Sequence, residues 1–103
     1  MAFKLQPVVS KSNTFTAAAG RTVTIEAEAS QGAVVIQAIS YNGVTVTTPP
    51  FQFTTVAGMK KLAVVFAASD PAALVSFYEI DAGSKRLLGV RLGVQNKAVF
   101  TIN

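Results

Sequence analysis

The chain contains no cysteine, no histidine and no tryptophan, and only 14% of its 103 residues are charged. Without cysteine there is no disulfide framework and no thiolate nucleophile, and nothing fixes the redox compartment. Without histidine, the common catalytic triads and the usual zinc ligand sets have no members to draw on. No glycine-rich run leads into Lys-Ser or Lys-Thr, so a phosphate-cradling loop is missing as well. A glycosidase needs carboxylates set across a cleft lined for sugar, and with no tryptophan such a cleft is hard to build. The charged fraction falls well below the roughly 25% of ordinary soluble domains. Half the residues are apolar, which excludes disorder and leaves a surplus of apolar surface.

The net charge of +4 is spread along the chain, with Lys60-Lys61 and Lys85-Arg86 the only adjacent basic pairs. Such scatter reads as solubilising charge on turns rather than as a nucleic-acid interface. The opening residues, MAFKLQPVVSK, show no basic segment followed by an apolar core of signal-peptide length, so a cytoplasmic start is the default expectation. The most apolar stretch is LAVVFAASDPAALVSFYEI, from Leu62 to Ile80. A membrane helix needs about 20 uninterrupted apolar residues, and Asp70-Pro71 falls in the middle of this one. It reads as two short strands around a turn, with no membrane insertion expected.

Strand signals dominate what remains. RTVTIEAEAS alternates, with Val23, Ile25, Ala27 and Ala29 on one side and Thr22, Thr24, Glu26 and Glu28 on the other, the period of a half-buried strand. AVVIQAISY, then Asn42-Gly43, then VTVTT is a hairpin signature, because a type I′ turn needs positive φ at both central residues. Pro49-Pro50 breaks pairing before FQFTTV resumes with Phe51, Phe53 and Thr55 on one side. Two further hairpin-like units are expected. One joins LAVVFAA and ALVSFYEI around Ser69-Asp70-Pro71, the other joins RLLGVRL and AVFTIN around GVQNK, with DAGSK connecting the units. SDPAA could open a single helical turn, and Phe3, Leu5 and Phe15 suggest short strands ahead of Gly20.

Seven to nine short strands in a chain of one-domain length give an all-β fold, a single antiparallel β-sandwich over residues 1–103 of immunoglobulin-like or jelly-roll character. The run AAAGRTVTIEAEA resembles the opening strands of bacterial immunoglobulin-like modules, where a small-residue turn and a glycine precede an alternating Val/Thr/Ile strand. The resemblance implies the sandwich and carries no functional residues with it.

Candidate chemistry is sparse. Glu26 with Glu28, and Glu79 with Asp81, are carboxylate pairs two residues apart on one strand face, and a solvated face or a turn accounts for both. Glu79, Asp81 and Ser84 lack the spacing of a calcium loop, so neither a metal nor a cofactor is expected. Tyr41 and Asn42 are the best pair for stacking a sugar and holding its hydroxyls, with Asp81 and Ser84 on a second loop. Packing of Tyr41 at a strand end competes with that role.

The stronger signal is apolar residues on both faces of three strands. AVVIQAISY sets Val34, Ile36 and Ala38 against Val35, Ile39 and Tyr41; LAVVFAA sets Leu62, Val64 and Phe66 against Ala63, Val65 and Ala67; ALVSFYEI sets Leu74, Tyr78 and Ile80 against Val75 and Phe77. A sandwich strand buries one face, so the other needs cover. A homo-oligomeric or other protein interface through Val35, Ile39, Ala63, Val65 and Tyr78 is the expected cover, with loops folded over the sheet or a hydrophobic-ligand cavity as rivals. The expected function is a non-enzymatic assembly module that self-associates, with glycan or protein recognition by the loops at Tyr41–Gly43 and Asp81–Lys85 as the alternative.

Overall fold

The computed structural model describes residues 19–102. Eight strands follow in order: β1 (Thr22–Ala29), β2 (Val34–Tyr41), β3 (Val44–Val46), β4 (Gln52–Thr54), β5 (Lys60–Ala68), β6 (Leu74–Asp81), β7 (Ser84–Leu92) and β8 (Lys97–Ile102). They form two four-stranded sheets, ordered β4-β1-β6-β7 and β3-β2-β5-β8, in which every pairing is antiparallel. The expected sandwich is therefore present. Among the described residues, no helix is long and apolar enough to cross a membrane.

The core lies between the sheets. Val23 and Ile25 of β1 point into it while Thr22, Glu26 and Glu28 point out, as the alternation requires. Phe66 of β5 meets Phe77 of β6 edge-on at 5.0 Å between ring centroids. Tyr41 of β2 stacks on Phe53 of β4 at 4.2 Å.

Two hairpins stay within a sheet. β2–β3 turns over Asn42-Gly43, with φ of 50° and 79°, the positive pair anticipated for a type I′ turn. β6–β7 turns over Ala82-Gly83, with φ of 50° and 86°. The other expected hairpins do not form. β5 and β6 lie in different sheets, and so do β7 and β8, so Ser69-Asp70-Pro71 and GVQNK are arches that cross the sandwich. DAGSK, expected as a connector, is the hairpin turn. SDPAA forms a turn rather than a helix, and the one short 3₁₀ turn among the described residues is Gly93–Gln95. The strands suggested by Phe3, Leu5 and Phe15 lie outside the described residues.

The arches knit one end of the sandwich together. The Ser30 and Leu74 backbones bond at 2.8 Å, Ser30 Oγ accepts from Leu74 N at 2.9 Å, Ser69 Oγ accepts from Ala33 N at 2.9 Å, and Gln31 donates to Asp70. Gly93 packs so closely that an added Cβ would stand 2.4 Å from the Asp70 carbonyl oxygen and 2.9 Å from Ala68 Cβ.

Two bulges decide which side chains face out. In β2 the register shifts between Ile36 and Ala38, so Gln37 is an extra residue and the alternation reverses after it. Ile39 and Tyr41 consequently join Val34 and Ile36 on the core side, while Val35 and Ala38 face outward. In β7, Leu87 opposes Tyr78 and Gly89 opposes Phe77, so Leu88 is the extra residue and turns toward the core.

Candidate functional site

The bulge in β7 creates an apolar surface on the first sheet. Because Leu88 turns inward, Leu87, Val90 and Leu92 all stand on the outer face of the first sheet, paired across to Tyr78, Ser76 and Leu74 of β6. Leu74, Leu87, Val90 and Leu92 are 52%, 47%, 41% and 45% exposed. Beside this stripe, β1 presents Glu26 and Glu28. Lys85 bridges the two carboxylates, at 3.0 Å from Glu28 and 3.9 Å from Glu26, with its ammonium 4.5 Å from the centre of the Tyr78 ring. The hydrogen bond to Glu28 holds that ammonium above its ordinary pKa.

The outer face of the second sheet is apolar in a different way. Val35 stands opposite Ala67, Ala38 opposite Val65, and Ala63 opposite Val99, giving a shallow surface of alanines between valines. Val35, Val65 and Val99 are exposed, and the flanking charges are Lys61 and Lys97, both exposed.

These placements divide the interface residues expected from the sequence. Val35, Ala63 and Val65 lie together on the outer face of the second sheet. Tyr78 lies half-buried on the outer face of the first, because β6 does not join β2 and β5. Ile39 is corrected: it is 1% exposed, carried into the core by the bulge at Gln37. The single patch expected from the three strands is therefore two patches on opposite sides of the sandwich. Leu87, Val90, Leu92 and Val99 were not anticipated; the signal for Leu87 and Val90 is the run Leu87-Leu88-Gly89-Val90, too apolar for a strand with one solvated face.

The turns at the other end offer less. Tyr41 and Asn42 end β2, and Asp81 and Ser84 bracket the β6–β7 turn, so all four lie at the end of the sandwich away from the arches, on different sheets. Tyr41 is not a stacking platform: its ring is buried against Phe53, and its hydroxyl accepts the Val56 N–H at 3.0 Å. Asn42 is exposed and takes the left-handed backbone of the turn. Asp81 is engaged by the Arg21 guanidinium, and Ser84 is exposed opposite it.

Next to Asp81 on the core side is Glu79, paired in register with Ile25 and Arg86. It is 2% exposed, and its Oε1 has no hydrogen-bond partner among the described residues. Burial pushes its pKa up to about 7, opposed by the nearby Arg21 and Arg86 charges and reinforced by Asp81. A carboxyl group near neutrality can move a proton, yet Glu79 lines neither of two recesses found among the described residues. One recess, about 340 Å³, runs beside Asn42, Gln52 and Val56. The other, a groove of about 610 Å³ between Ala27, Val34, Ile36 and Phe51, opens where β3 and β4 are too short to cover the ends of β1 and β2. Among the described residues, no group of three or more carboxylates is placed to hold a metal ion.

Comparison with known proteins finds no family model that matches the chain and no significant similarity to any curated protein or solved structure.

Proposed function

We propose that the protein is a non-enzymatic assembly module that associates with copies of itself through the apolar outer faces of its sheets. The observation that carries this is the quartet Leu74, Leu87, Val90 and Leu92, side by side on β6 and β7 and each about half exposed. A sheet face in contact with water normally carries polar residues at these positions. An unbroken apolar stripe on a small domain marks a surface that another molecule covers. A second apolar face, on the other sheet, makes another copy of the chain the simplest cover, since most soluble oligomers are homo-oligomers.

The immunoglobulin-like character remains part of this proposal, read on strand order alone. β3-β2-β5-β8 follows the C′-C-F-G order of such domains, and β1 with β4 corresponds to B with E. On that reading the β6–β7 hairpin falls between F and G in chain order and β6 lies beside B in the sheet, and it is this hairpin that carries the leucine stripe.

The test is light scattering on the wild type and on a Leu87→Glu, Val90→Glu variant. The wild type is expected to exceed monomer mass as concentration rises, and the variant to remain monomeric with its fold intact by circular dichroism. Identical masses for the two proteins would rule out this stripe as the contact.

A further inference from the structure

We infer that the association is head-to-tail: the outer face of β1-β6-β7 of one copy seats on the outer face of β2-β5-β8 of the next. This rests on the self-association just proposed and specifies its geometry. Three features of the two faces support unlike rather than like pairing. The first is charge. Among the described residues, the first face carries Glu26 and Glu28 against Lys85, a net of −1, whereas the second carries Lys61 and Lys97, a net of +2. Stacking two first faces or two second faces opposes like charges, while stacking first on second brings carboxylates to ammonium groups. The second is relief. The first face raises large side chains, Leu74, Leu87 and Leu92, while the second is lowered along Ala38, Ala63 and Ala67. Packed sheets interdigitate large against small. The third is coverage: a two-fold dimer through either face leaves the opposite apolar face in water, whereas head-to-tail stacking covers both. Because the faces lie on opposite sides of the sandwich, the association continues beyond two copies, as a ring or an open stack.

Two variants, each blocked on one face, test this. Leu87→Glu with Val90→Glu blocks the first face, and Val35→Glu with Val65→Glu blocks the second. Each is expected to be monomeric alone, and their equimolar mixture to form a 1:1 pair that grows no further, measured by sedimentation velocity. If either variant still dimerises alone through its intact face, the pairing is like-on-like and the inference is overturned. A wild type that stays monomeric at every concentration removes the self-association itself, an outcome distinct from wrong geometry. Charge reversals that leave both apolar faces intact provide a second arm should a blocked variant fail to fold. Glu26→Lys with Glu28→Lys, and Lys61→Glu with Lys97→Glu, are each expected to weaken association several-fold at low salt, and a mixture of the two to recover it. Failure of the mixture to recover would overturn the unlike pairing.

Discussion

At position 79 the fold keeps a carboxyl group away from water, and stability should depend on pH as a result. The folded-state pKa of about 7 lies above the ordinary value of 4.5, so the folded chain binds this proton more tightly than the unfolded chain does. The stabilisation is fully present below about 4.5 and is lost as pH rises through 7, with a ceiling on the order of 3 kcal/mol. Urea unfolding should therefore show a lower midpoint at pH 8 than at pH 5, and Glu79→Gln should flatten that difference. Equal pH dependence in the two proteins would assign the effect to another group. Gly93 is a second residue with a sharp expectation. A methyl group there meets the Asp70 carbonyl oxygen and Ala68 at distances no real Cβ tolerates. Gly93→Ala should destabilise the arch end by about 1–3 kcal/mol, read from the unfolding midpoint.

Elements differ in how openly the sequence announces them. β1 is legible because Val23 and Ile25 alternate with Thr22, Thr24 and Glu26, and the β2–β3 hairpin because Asn42-Gly43 suits positive φ at both positions. The β6–β7 hairpin is legible only as a connecting turn at DAGSK, since Ala82 at φ 50° is a poor occupant of the left-handed conformation and does not announce a two-residue hairpin. Ser69-Asp70-Pro71 looks like a turn and is one, but proline cannot adopt the positive φ of a two-residue hairpin, and the chain crosses to the other sheet instead. The bulges were hidden for a different reason. One extra residue, Gln37, moves Ile39 and Tyr41 from the outer side to the core, and with them the ring expected to stack a sugar. Nothing local in AVVIQAISY marks that insertion; it is set by pairing with β5 and by the space beside Phe53. The candidate surface was thus half legible, with Val35, Ala63, Val65 and Tyr78 on outer faces and the leucine stripe of β7 concealed by its own bulge. At this scale the turn offers a gain. Ala82→Asn should raise stability by about 0.5–1 kcal/mol by relieving the left-handed alanine, measured by chemical denaturation; no gain would mean that the turn is held by its strands alone.

The described residues form a sandwich with one end locked by arches, a core that includes Phe66, Phe77 and Phe100, and two outer faces that carry exposed leucines and valines. Low charge content, the first property visible in the chain, has its structural counterpart there: away from the core, β5 presents Ala63, Val65 and Ala67 after Lys61, and β7 presents Leu87, Val90 and Leu92 after Lys85. Covering those faces is the central claim, and it has a direct consequence for mass. Sedimentation equilibrium of the unaltered protein across a dilution series is the most direct measurement. The expected result is an average mass that climbs past the dimer as concentration rises and falls back toward the monomer on dilution; a single monomeric mass at every concentration would contradict the account.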